Sequence, residues 1–267
     1  MMCAGGRAAF LAAGVIAVTL SVAGATQAGA WNKARGESQV IVKLEVMRAS
    51  EGFDPDGVRL PLPAERRDDI ASVLGEHGLS DRLTLIVRTD YQRGEDAFVR
   101  YEGLGTSEIG LQWQVWRDDR WALALSTSLG RAGEGRGAGY APPGVGETER
   151  EVRLLAGRSF GHGSGRLDGW LDGAFAEVQV ARRWRSEQED ETRLDVTVGL
   201  RPHPRWLLLS QVYAGEVAGG GPAWANTEIS AVREIGSWSF QLGYRTALAG
   251  REVPAQTGPV IGIWRRF

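Results

Sequence analysis

Between Glu108 and Trp116 the chain alternates strictly: Ile109, Leu111, Trp113 and Val115 point one way, Glu108, Gly110, Gln112 and Gln114 the other. Arg117-Asp118-Asp119-Arg120 turns the chain. Trp121, Leu123, Leu125, Thr127 and Leu129 then alternate with Ala122, Ala124, Ser126 and Ser128. A period of two marks a strand with unlike faces, and two such runs across a short polar turn predict a hairpin. The same pattern predicts strands near 38–48, 68–77, 81–92, 106–117, 120–130 and 148–159. A second half follows near 166–184, 188–201, 205–216, 224–235, 237–248 and 257–267. Helical periodicity is nearly absent; its best run, Ala64–Leu74, is short and breaks at Gly75. Two strands resist a single phase. In 166–184, Leu171 and Phe175 fall out of step with Val178 and Val180, which predicts a bulge near Glu177. In 205–216, Leu207 and Leu209 compete with Trp206 and Leu208 for the apolar face.

The connections alternate in length. Gly78–Ser80, Arg117–Arg120, Gly161–Gly165, Pro202–Pro204 and Gly236-Ser237 are short; Gly52–Arg67, Arg93–Gly105, Arg131–Thr148 and Gly215–Ala223 are long, polar and rich in Gly or Pro. An even strand number, tight turns at one end and long loops at the other describe an outer-membrane barrel. Tryptophan supports a membrane over a soluble sandwich. Trp116, Trp121, Trp206, Trp238 and Trp264 fall near the short-turn ends, and Tyr91, Trp184, Tyr213 and Trp224 near the long-loop ends, as interfacial aromatic belts would. The expected fold is therefore all-β, a transmembrane up-and-down antiparallel barrel of about twelve strands.

The opposite face is polar, and in a barrel it points inward. Lys43, Glu45, Arg82, Arg88, Glu108, Gln112, Gln114, Arg193, Asp195, Glu228, Gln241 and Arg245 are the expected lumen-lining residues. By this reading Leu111→Arg or Leu125→Arg costs about 2–4 kcal/mol near the bilayer midplane, and Gln112→Arg is nearly neutral.

The first thirty residues stand apart. Arg7 precedes an apolar run from Ala8 to Val22, and Ala28-Gly29-Ala30 places small residues at positions −3 and −1. That reads as a secretory signal peptide over 1–30, cleaved before Trp31, with the barrel in 31–267. The run is shorter than the roughly 18–20 residues of a spanning helix. Cys3, the only cysteine, leaves with the leader, so no disulfide is expected.

Composition narrows the chemistry. Thirty-one basic residues nearly balance 33 acidic ones, leaving a net charge of −2 and no basic stripe for nucleic acid. His77, His162 and His203 are too widely spaced for a paired metal site. His162-Gly163-Ser164 lies in a Gly-rich turn, where a Ser–His hydrolase pair lacks an orienting third group. The glycines of 133–139 and 219–221 do not follow a buried strand and open a helix, so they read as flexible outer loops. Asp54-Pro55-Asp56-Gly57 reads as a turn rather than a calcium loop. No catalytic residue, metal or cofactor is expected.

Several segments resemble one family of outer-membrane barrels. They are Gly29-Ala30-Trp31 with Gly36, Gly78-Leu79-Ser80-Asp81-Arg82-Leu83-Thr84-Leu85, Gly103-Leu104-Gly105-Thr106-Ser107-Glu108-Ile109-Gly110, and the Trp116-Arg117 hairpin. The family is labelled by its similarity to a protein of the meta-pathway of phenol degradation, and its members are called transporters. The likeness covers most of 31–130 and the C-terminus. It implies a channel or transporter for small solutes, small aromatic or hydrophobic compounds among them. A non-conducting structural or binding barrel with a plugged lumen is the alternative, and a lipid-modifying enzyme a remote one. The C-terminal Phe267 matches the signal that outer-membrane barrels present to their assembly machinery. The expected setting is the outer membrane of a Gram-negative bacterium, with lipid, that machinery and small solutes as partners. Membrane fractionation tests this directly. The protein should partition with the outer membrane and migrate faster on gels unheated than boiled; recovery from the soluble periplasm would contradict the reading.

Overall fold

A computed structural model describes residues 29–160 and 173–267. The signal peptide, apart from Gly29 and Ala30, and the His162-Gly163-Ser164 turn lie outside the described residues. The described residues form fourteen strands: β1 (Ser38–Phe53), β2 (Arg59–Ser80), β3 (Leu83–Glu95), β4 (Arg100–Leu104), β5 (Ser107–Arg117), β6 (Trp121–Arg131) and β7 (Thr148–Ser159). They continue as β8 (Phe175–Arg185), β9 (Glu191–His203), β10 (Trp206–Val217), β11 (Ala223–Ile235), β12 (Trp238–Arg251), β13 (Val253–Pro254) and β14 (Thr257–Arg266). β4 only extends a hairpin with β3, and β13 only caps β1; the other twelve pair antiparallel in chain order. Closure comes from β1, which pairs β2 on one side and β14 on the other, from Gln39↔Arg266 to Arg48↔Thr257. Phe267 N–H donates to Ser38 O at 2.9 Å, so the last residue completes the ring. Closure leaves no sheet edge, and a backbone in lipid requires that.

The two faces separate as alternation predicts. Outward side chains are apolar on every spanning strand, and Leu154, Ile229 and Leu242 are 62%, 68% and 66% exposed. Apolar surface on this scale belongs in hydrocarbon rather than water, and with closure it makes this an outer-membrane barrel. At the short-turn end, Trp121, Trp206 and Trp238 stand opposite Arg158, Arg233 and Arg265 on neighbouring strands. Each guanidinium lies over the ring, 5.1, 5.0 and 4.7 Å from its centroid. This pairing suits the headgroup layer, where a ring meets lipid and a cation meets water. Arg265, the charged residue on the apolar face of the last strand, is thereby accommodated.

The structure corrects several expectations. β8 alternates without a bulge: Phe175, Glu177, Gln179 and Ala181 all face inward, in unbroken register with β7 and β9. Leu171 lies outside the described residues. In β10 the inward apolar residues are Leu207 and Leu209, both buried. Most of the expected loops 52–67 and 93–105 are strand. The first hairpin runs to Phe53 and Arg59 and turns where Asp54 accepts from Asp56 and Val58 N–H. Trp264, Trp224 and Tyr213 do not join the aromatic belts; Trp264 is buried inside and the other two line the lumen.

The faces yield a contrast in tolerance. Leu154→Arg, opposite Leu125 on the lipid side, should destabilise the barrel by about 2–4 kcal/mol in urea titrations with lipid vesicles. Ser126→Gln, pointing into the lumen, should change stability by about 0.5 kcal/mol or less. Equal costs would reverse the assignment of faces.

Candidate functional site

The barrel interior has three levels. At the short-turn end it is filled by the chain's own segment before β1. Ala30, Trp31 and Asn32 are buried. Trp31 meets the Phe175 ring edge-on, with centroids 6.1 Å apart, in an apolar cluster with Leu155, Leu207, Leu209, Val232 and Trp264. Two glycines make room for these rings. A Cβ on Gly157 would collide with the Trp31 indole, and one on Gly199 with Phe175.

Polar side chains of the wall fasten this plug by its backbone. Gln114 accepts from Asn32 N–H at 2.9 Å and donates to Ala30 O at 3.0 Å; Gln112 donates to Gly29 O and to Asn32 Oδ1. Ala30 N–H donates to Glu177 Oε2 at 2.7 Å. Lys33 N–H donates to Thr84 Oγ1, and the Lys33 ammonium pairs with Glu76 at 3.3 Å. Each buried backbone group so bonded avoids the roughly 1–3 kcal/mol cost of an unsatisfied one.

Above the plug lies a cavity of about 650 Å³. Ile41, Ile70, Leu74, Ile86, Leu207 and Leu209 supply apolar wall, while Lys43, Arg88, Arg153, Arg193 and Arg245 face it with Glu45, Glu108, Glu151 and Asp195. A second cavity of about 250 Å³ shares Arg88, Glu108, Ala138, Gly139 and Arg193 with the first.

Most of these charges are paired. Arg245 holds Glu45 through both nitrogens at 2.7 and 2.9 Å, reaching across β14, and holds Glu228 at 2.7 Å. On β14 the residue opposite Arg245 is Gly258, and the one opposite Glu45 is the fully buried Val260. Glu228, fully buried, also meets Lys43 at 3.5 Å and accepts from Ser230 and Gln241. Opposite, Arg183 gathers Glu108, Glu149 and Glu151 at 2.7, 2.7 and 3.0 Å, and Arg153 joins Glu151 to Asp195. Arg88 is the exception: it faces the cavity with no ion-pair partner among the described residues.

The upper level is the 132–147 connection, folded over the lumen. Arg136 donates to Asp96 Oδ2 at 2.6 Å and to Ala141 O at 2.7 Å, tying this loop to the β3–β4 hairpin. The loop is therefore fastened, contrary to the flexible outer loop expected of its glycines. It lowers Tyr140 onto Trp224, with ring centroids 5.6 Å apart, where its hydroxyl donates to Glu191. Burial, then the Glu191 charge, push this phenol above its ordinary range, so it remains a donor.

The expected lining residues fare unevenly. Lys43, Glu45, Arg88, Glu108, Gln112, Arg193, Asp195, Gln241 and Arg245 line the cavity. Glu228 is buried under Arg245, and Gln114 lies below the cavity in the plug. Arg82 does not line it; it sits exposed in the β2–β3 turn. Gln112→Arg cannot be neutral either, because Gln112 is buried and bonded to the plug. The sequence reading missed Glu149, Glu151, Arg153, Arg183, Glu191 and the plug. Glu149, Glu151 and Arg153 alternate on one face and were open to the same period-two argument. Among the described residues no group of three potential metal ligands forms. Ser38 Oγ lies 2.8 Å from His77 Nδ1, but no third described group bonds that imidazole.

Removing the central carboxylate should expose the cost of this wiring. Glu228→Ala leaves Lys43 and Arg245 with Glu45 as their one shared carboxylate, an uncompensated buried charge, and should destabilise the barrel by about 3–5 kcal/mol in denaturant unfolding. A loss below about 1 kcal/mol would mean that the network is solvated and slack.

Outer-membrane barrels are among the solved structures similar to this chain. The COG4313 outer membrane channel from Pseudomonas putida F1 matches with a TM-score of 0.66 at 14% identity, over 90% of this chain and 99% of that one. The NanC porin matches with a TM-score of 0.52 at 7% identity, over 82% of this chain and 98% of that one. Both likenesses are of fold. No family model and no curated protein matches the sequence.

Proposed function

We propose that this barrel is a gated outer-membrane channel for small organic solutes with an apolar body and a polar or anionic head. The supporting observation is the cavity of about 650 Å³, which sets an aliphatic wall against cationic side chains. An apolar solute part gains by leaving water against Ile41, Ile86 and Leu209. Its head meets Arg88, whose guanidinium has no competing ion pair among the described residues. The resemblance to the phenol meta-pathway family points the same way, toward small aromatic or hydrophobic compounds. The channel-type fold of the similar structures is consistent with transport and gives no support to an enzyme. Phe267, exposed on the outer face at the closing seam, is proposed as the residue that the assembly machinery reads.

The plug favours a second reading, a barrel that binds solute without conducting. Liposome swelling separates the two. A channel whose plug moves admits small solutes as wild type, and Trp31→Ala should raise the rate several-fold by loosening the apolar contact with Phe175. Arg88→Gln should lower the preference for anionic over neutral solutes without lowering thermal stability, because no ion pair is broken. Wild type and Trp31→Ala vesicles that both fail to swell would establish the non-conducting barrel.

A further inference from the structure

Glu177 is a buried carboxylate, 1% exposed, near the sealed end of the lumen. Its hydrogen-bond donors are the Ala30 amide and the Gln179 side chain, and no Lys, Arg or His pairs with it among the described residues. This sets it apart from Glu228, Glu191 and Glu151, each held by at least one arginine. A buried charge normally has a partner of opposite sign, because desolvating it alone is costly.

The nearest main chain supplies a candidate. The plug enters from the short-turn end and climbs from Lys33 to Gly29, which lines the cavity. An uncleaved chain would therefore continue from a point inside the lumen. Hydrolysis of the Ala30–Trp31 bond by a signal peptidase places the water oxygen on the Ala30 carboxylate. It leaves the Trp31 nitrogen as an ammonium, one residue from the amide that bonds Glu177. Departure of Gly29 and of the fully buried Ala30 clears the space between them. We propose that the amino terminus created by leader removal stays inside the lumen, with its α-ammonium as the cationic partner of Glu177. The plug is then a product of processing, and its final anchor forms only after cleavage. This rests on the leader assignment and not on what the channel carries.

The test uses the mature protein purified from outer membranes. Intact mass identifies the first residue. Acylation at pH 7 with an amine-reactive ester, mapped by mass spectrometry, then reports the α-amine beside Lys33 and Lys43, the chain's only lysines. An ion-paired, buried ammonium should react at least about tenfold slower in the folded protein than in urea, since one unit of upward pKa shift alone removes nine-tenths of the free amine. Glu177→Gln should restore most of the unfolded rate. A variant with Gly-Ser-Gly-Ser inserted after Ala30 carries the ammonium beyond the Gly29 position, which itself adjoins Glu177, and should react fast with the carboxylate intact. It serves also where Glu177→Gln fails to fold. Equal rates in folded and unfolded wild type, slow labelling of the insertion variant, or a folded protein that retains residues before Gly29 would overturn the proposal. Failure to transport solute would leave it standing, because no step of it involves a solute.

Discussion

The structure depends on closure of β1 against β14. Once that seam forms, no backbone N–H or C=O of the ring is left for lipid, and each strand has only an inside and an outside. The apolar phase goes to the bilayer, so nearly all strand-borne charge is committed to the interior. That interior must then satisfy itself. Arg183 with three carboxylates and Arg245 with two do so by crossing strands, which also ties the wall together across the lumen.

The same constraint explains why the two ends differ. At the short-turn end the inward residues are apolar or small, as in Ala122, Ala124, Leu207 and Val232, and charge networks are replaced by packing. Ring strands alone do not fill that volume. Trp31 does, brought in by a segment whose backbone is bonded to side chains of the wall, Gln112, Gln114, Glu177 and Thr84, rather than to strand backbone. At the other end, inward charges persist above the bilayer, and the Arg136-anchored loop partly roofs them. The lumen is thus partly roofed above, two-faced in the middle and filled below.

Much of this was legible in the sequence because a period of two is local. Glu108–Trp116 reveals its faces with no knowledge of its neighbours, and the twelve spanning strands followed from that. The failures have physical causes. Above the bilayer both faces of β2 carry polar side chains, so Glu65, Arg66 and Arg67 show no polar contrast and that part of the strand read as loop. β8 lost its phase because Phe175 is an apolar residue on the inward face, packed against Trp31, while Val178 and Val180 are the apolar residues of the outward one. The plug was invisible because Trp31 belongs to no repeating pattern and the wall's side chains hold its segment by main-chain atoms, which carry no sequence signal. Gln112 and Gln114 read correctly as inward, but nothing local said that they would hold a chain segment rather than line water.

The central claim is a lumen accessible from the loop side and sealed below by the segment that carries Trp31 and Asn32. Cys3 is the sole cysteine, so single cysteines can be introduced into a Cys3→Ser background without competing thiols. A membrane-impermeant maleimide added to intact cells should label Arg88→Cys and leave Asn32→Cys unreacted until the protein is unfolded. Labelling of Asn32→Cys at the rate of Arg88→Cys, or complete protection of Arg88→Cys, would contradict the account.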